Sequence, residues 1–168
     1  MLKWTAIIVV ALVVLVALVA LIGMFLPKGH RASRTVVYSA PPESVYAAIS
    51  DFAKFPEWRS GVTTVEMLSN DERNTRFRED GPHGPVTYKV EERQPGTRLV
   101  TRIDDPSLPF GGKWTLDVKP VPGGTELTIT EDGEIYNPIF RVVSKVVFSP
   151  YTTIDTYQAD LGKRLTRT

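Results

Sequence analysis

The chain has 168 residues, 20 basic against 19 acidic side chains, a formal net charge of +1 and no cysteine. This balance leaves no basic footprint for a nucleic-acid partner, and the missing thiols exclude a disulfide framework and thiolate chemistry. The 13 prolines and 12 glycines fall mostly between apolar segments, the punctuation of a turn-rich α+β domain.

Trp4 to Leu26 carries no charged residue, and only Thr5 and Gly23 interrupt the apolar run. As a helix it is roughly 34 Å long, slightly more than a hydrocarbon core of about 30 Å. Trp4 stands where an aromatic belt residue belongs, and Pro27 ends the helix. A cleaved secretory signal has an apolar region of only about 7–15 residues and a small-residue cleavage site. Pro27-Lys28-Gly29-His30-Arg31 offers no such site. Residues 1–26 therefore read as a single transmembrane anchor, with the membrane as partner. Lys3 precedes the span, whereas Lys28, Arg31 and Arg34 follow it. The positive-inside bias then favours the domain on the cytoplasmic side. The same basic cluster is either a topology determinant or a contact for anionic headgroups.

Residues 27–33 read as a short polar linker and 34–168 as one domain. Arg34–Ser39 is the first expected strand. Pro41-Pro42-Glu43 opens a helix, with Val45, Ala48, Ile49 and Phe52 at helical spacing. A second helical turn covers Ala53–Trp58. Six strands follow, at about Val62–Leu68, Asn74–Glu79, Val86–Glu92, Arg98–Asp104, Gly112–Val121 and Thr125–Ile135. Alternation in Val86-x-Tyr88-x-Val90, Trp114-x-Leu116-x-Val118 and Leu127-x-Ile129 marks a half-buried antiparallel sheet. Asn137-Pro138 then starts a long helix. Ile139, Val142, Val143, Val146 and Val147 give it an apolar face, and Ile154, Tyr157, Leu161 and Leu165 continue it. A curved seven-stranded sheet around that helix buries both faces and leaves room for an apolar cavity.

Three stretches carry a resemblance to a known superfamily. Tyr38-Ser39-Ala40-Pro41-Pro42-Glu43-Ser44-Val45-Tyr46 looks like its strand-to-helix junction. Asp51-Phe52-Ala53-Lys54-Phe55-Pro56-Glu57-Trp58 looks like the turn between its two short helices. Glu131-Asp132-Gly133-Glu134-Ile135-Tyr136-Asn137-Pro138-Ile139-Phe140-Arg141 looks like its last strand running into the long helix. Over about residues 34–165 the chain resembles the START-like, polyketide cyclase and lipid-transfer (SRPBCC) superfamily. The resemblance implies a helix-grip fold and a hydrophobic small molecule in the cavity. It implies no particular activity, because such folds serve carriers, cyclases, hydroxylase subunits and stress-response proteins. The N-terminal membrane helix departs from the basic fold. Pro150 is placed to split the long helix, with Ser149 capping its second half.

The inventory of reactive groups is thin. There is no Ser/His/Asp arrangement, phosphate loop or metal-ligand cluster, so no cofactor or metal is predicted. His30, beside the membrane, and His83, in a Gly/Pro-rich turn, read as solvated loop residues. Glu79 shares a strand face with Phe77, and Glu131 shares one with Leu127 and Ile129. A buried carboxylate needs a partner or takes up a proton. Arg141 is the expected partner of one or both. Glu79 and Glu131 are then either headgroup anchors, acids of raised pKa, or halves of structural ion pairs. Trp58, at an entrance, with Tyr88 and Trp114 inside, are candidate cavity aromatics or ordinary core. Leu108 and Phe110, in an apolar-tipped loop, either touch membrane or cavity or are incidental. Three functions stay open: a membrane-anchored module binding a hydrophobic or lipid-like molecule, a cyclase- or hydrolase-type enzyme using Glu79 or Glu131, and an interaction protein with a closed cavity.

Overall fold

The structure is a computed structural model and describes residues 2–71, 74–82, 84–147 and 149–166, without the side chains of Leu2, Val146 and Val147. Helix α1 (Leu2–Phe25) comes first. Its Lys3–Phe25 stretch has a mean hydropathy of 3.4 and is long and apolar enough to cross a membrane. Helices of this kind at an N-terminus serve as membrane spans or signal sequences. From Lys3 onward its residues are exposed until the last turns, where Val19 and Ala20 are half-buried and Gly23 is buried.

Strand β1 (Gly29–Tyr38) begins almost at once. The linker expected over 27–33 is thereby corrected. Gly29 to Ser33 pair with Glu134 to Thr130, and the Ile135 amide donates to the Lys28 carbonyl at 2.8 Å. Edge pairing, rather than hydrophobic alternation, makes this polar segment a strand: a ladder satisfies its backbone whatever its side chains are.

Helix α2 (Pro42–Ser50) follows, with Pro at its first turn and Glu43 favoured by the dipole. Its Val45 and Ile49 are fully buried. A 3-10 turn (Phe52–Lys54) and the short α3 (Phe55–Trp58) complete the first connection. Then come β2 (Thr64–Asp71), β3 (Asn74–Asp80), β4 (Val86–Gln94), β5 (Arg98–Ile103), β6 (Phe110–Val121) and β7 (Gly124–Ile135). They form a seven-stranded antiparallel sheet in the order β1-β7-β6-β5-β4-β3-β2. Bulges at Met67/Ser69 and Val90/Glu92 add local bend, which helps the sheet curve.

The long C-terminal helix is two helices, α4 (Pro138–Val147) and α5 (Thr152–Leu165). Pro150 stands in the break. Ser149 Oγ accepts from the Tyr151 amide just ahead of α5, instead of capping its first turn. Helix α5 grips the concave face, burying Ile154, Tyr157 and Leu161 against Leu99, Leu116, Leu127 and Ile129. Together with α1 and the sheet this is an α+β helix-grip architecture. Asn137 caps α4 as expected, accepting from the amides of Ile139 and Phe140. Helix α4 does not extend along the sheet. It packs against the last turns of α1, where a Cβ on Gly23 would lie 1.9 Å from the Pro138 carbonyl oxygen.

Candidate functional site

The concave face is covered unequally. Under α5 it is dry: Phe52 stacks on Phe77 at 4.2 Å, and Phe55 meets both rings edge-on. Toward the ends of β4, β5 and β6 nearest α1, the inward residues Tyr88, Thr101, Ile103 and Trp114 are only half-buried. The reason is local. Helix α4 leaves the sheet, so this half of the face is covered less fully than the half under α5.

The two carboxylates sit on this face as their strand alternation requires, but neither meets Arg141. Glu79 pairs with Arg59, Nη1 to Oε1 at 2.5 Å, with side-chain exposures of 11% and 18%. Arg59 also stacks over Phe55 and Tyr157, 4.7 and 4.9 Å from their centroids. Burial pushes the Glu79 pKa up, while the Arg59 charge and hydrogen bond pull against it, and burial prevails. Glu131 lies opposite Trp114 in the β6–β7 ladder. It accepts from the Trp114 indole at 3.0 Å and lies 3.2 Å from His30 Nε2. Gly133 makes room for that imidazole, since a Cβ there would fall 2.2 Å from His30 Cε1.

Arg141 is instead a clasp for backbone. At 6% exposure it donates to the carbonyls of Gly23, Leu26, Ile135 and Tyr136. A helix end leaves its last carbonyls without partners, and a guanidinium fork satisfies several at once. Strand spacing does not disclose that preference over the carboxylates.

Trp58 packs edge-on against Phe55 and Tyr157 at 5.4 and 5.2 Å. Its outer side lines a cleft of about 260 Å³ between α3 and the end of α5, with Pro56, Ser60, Asp160 and Lys163. Asp160 accepts from the Ser60 amide and hydroxyl there. Burial raises its pKa, but these bonds and Lys163 outweigh burial and hold it below the usual carboxylate range. Tyr88 stacks on Phe77 at 5.3 Å, and Trp114 meets Tyr157 at 5.6 Å. Burial pushes the hydroxyl pKa of Tyr88 and of Tyr157 far up.

Neither hydroxyl has a hydrogen-bond partner among the described residues. The unpartnered side-chain polar atoms that are sealed from solvent are the Tyr46 hydroxyl and Arg76 Nε, and no others among the described residues. His83 lies outside the described residues. No group of three or more potential metal ligands gathers among the described residues.

Arg59, Tyr157 and His30 belong to this constellation and escaped the sequence reading. Arg59 directly follows Trp58, and its reach across to β3 leaves no periodic signal. Tyr157 is visible as part of the apolar stripe Ile154, Tyr157, Leu161, where it reads as core. His30 is hidden by the misread linker.

This architecture defines a helix-grip protein with a partly open concave face. A sequence profile of the polyketide cyclase / dehydrase and lipid transport family matches residues 29–164, and the chain belongs to that family. Among proteins with curated functions, none matches the sequence significantly. Solved structures of the same fold include a START superfamily protein from Mycobacterium smegmatis, 19% identical, with TM-score 0.66 over 82% of this chain and 98% of that one. The Zhui aromatase/cyclase from Streptomyces sp. R1128 is 13% identical, with TM-score 0.63 over 83% of this chain and 94% of its own. A protein from Thermus thermophilus is 22% identical, with TM-score 0.64 over 83% of this chain and 97% of its own. At these identities the likeness is one of fold.

Proposed function

We propose that the chain is a membrane-tethered binding module for a hydrophobic or lipid-like small molecule carrying a hydrogen-bonding group. The molecule lies on the open half of the concave face, its apolar body against Ile103, Trp114 and Tyr88. One observation carries this reading: the inward-facing Tyr88, Thr101, Ile103 and Trp114 are only half-buried on a face that is otherwise core. Polar groups set deep among aromatics and left unpaired supply orientation for an incoming ligand. The Arg59–Glu79 and Trp114–Glu131 pairs flank them as a fixed polar frame. Helix α1 holds the module at a bilayer, and the excess of Lys28, Arg31 and Arg34 over Lys3 favours the cytoplasmic side.

The enzyme reading has less support, because Arg59 ties up the carboxylate of raised pKa. The test is a titration of the detergent-solubilised full chain with a fluorescent fatty acid, followed by native mass spectrometry. Saturable uptake is expected. Tyr88→Phe and Tyr157→Phe should each weaken it about tenfold, the worth of one hydrogen bond of about 1–1.5 kcal/mol. Absence of saturable uptake of fatty-acid and isoprenoid probes refutes the reading.

A further inference from the structure

Helix α4 has an apolar strip that neither the sheet nor α1 covers. Ile139 and Val143, one turn apart, are 37% and 41% exposed. On the opposite side of the helix, Arg141 is held by the end carbonyls Gly23 and Leu26 and by Ile135 and Tyr136. The strip is thus locked in position relative to α1. The close approach at Gly23 tightens the lock, since a side chain there would strike the Pro138 backbone.

The depth of this contact is informative. The half-buried Val19 and the buried Gly23 bound the part of α1 shielded from solvent, and α4 packs on α1. Val19 lies six residues before Phe25, which is about 9 Å along the helix axis. An amphipathic helix lying in a bilayer surface buries its apolar face to about 5–10 Å. The surroundings suit the same zone. Phe25 is 84% and Tyr136 47% exposed, two aromatic residues of the kind that favour a membrane–water interface. Lys28, three residues after Phe25, is exposed, with the charge that anionic headgroups attract.

We infer that α4 is a second membrane element, lying in the headgroup–acyl boundary of the leaflet nearest the domain. Ile139 and Val143 contact lipid. The clasp at Arg141 fixes the domain so that the open half of its concave face, which lies at the α1 end of the sheet, is held at the bilayer surface. The inference rests on the reading of α1 as a span.

The test uses the full chain in vesicles of equal parts phosphatidylcholine and phosphatidylglycerol. The chain has no native cysteine, so single spin labels are unambiguous. Val143→Cys reports on α4, Leu15→Cys on the middle of α1, and Lys119→Cys on an exposed strand position. Collisions with oxygen and with a water-soluble nickel chelate give depth. The expected result is a label at 143 about 5–10 Å below the phosphates, one at 15 deeper, and one at 119 in water. A label at 143 freely accessible to nickel while that at 15 is deep overturns the role of α4 and leaves the span standing. A label at 143 shielded from both reagents means that protein covers the strip, and also overturns it. Labels at 15 and 143 both in water overturn the span and this inference together.

Discussion

Removing the carboxylate of Glu79 is the most informative single perturbation of the site. In Glu79→Gln the Arg59 guanidinium keeps its charge and its place between the Phe55 and Tyr157 rings, but loses its counter-ion. At exposures of 18% and 11% the pair is mostly desolvated. Breaking such a pair from one side typically costs about 3–5 kcal/mol. The remaining water contact and the ring contacts of Arg59 place this case at the lower end, about 3 kcal/mol. Arg59→Met should cost a similar amount, because Glu79 can then relieve itself only by taking up a proton. The double variant Arg59→Met/Glu79→Leu removes both charges and should recover most of the loss, leaving a coupling energy of about 2 kcal/mol or more. Thermal unfolding in detergent, followed by near-ultraviolet circular dichroism, reads each single loss as roughly a 10 °C drop. Strict additivity of the two single variants, or single losses under about 1 °C, would show a pair screened by solvent and refute the reasoning.

Asp160→Asn should destabilise the protein by about 1–3 kcal/mol at neutral pH in urea unfolding, since it weakens two bonds from Ser60. Folding lowers the Asp160 pKa from 3.8, so its contribution is complete above that value and is lost as pH falls through the folded value. The difference between wild type and variant should therefore shrink on acidification. Glu79 has the opposite sign: its pKa is raised from 4.5, so in the window above 4.5 the folded state holds the extra proton and stability declines as pH rises. Glu79→Gln should flatten that slope. Gly112 has φ +131°, and a Cβ there would sit 2.4 Å from the Asp132 carbonyl oxygen. Gly112→Ala should cost about 1–3 kcal/mol, with amide-exchange protection lost first around the Trp114–Glu131 pair. Gly23→Leu should leave the chain in the membrane fraction but free α4, seen as faster amide exchange over Ile139 to Val143.

Much of the architecture was legible because it rests on local rules. The strands from β3 to β7 show alternation and turn residues, α2 shows proline and an acid at its start, and Asn137 announces α4. The inward direction of Glu79 and Glu131 followed from a period of two. Their partners did not follow, because partner choice depends on reach across elements. Arg59 reaches β3 from the end of α3, and Arg141 satisfies the carbonyls at the end of α1. The start of β1 was hidden for a different reason: an edge strand is held by its backbone ladder, and the side chains of His30 to Ser33 carry no apolar alternation. Pro150 marked the break in the long helix, but the departure of α4 from the sheet depends on contacts with α1 that periodicity does not encode.

Only Leu26, Pro27 and Lys28 separate the end of α1 from β1, and the Lys28 carbonyl is already bonded into the sheet's edge. The join is therefore short, and its last carbonyl belongs to the sheet. If α1 spans a bilayer as proposed, a tilt of α1 would pass to β1 through only these three residues. Under that reading the domain would meet membrane-dissolved molecules by a two-dimensional search close to the bilayer. Lengthening the join by a few glycines would turn that search back into a three-dimensional one, with the bilayer no longer setting the angle of approach.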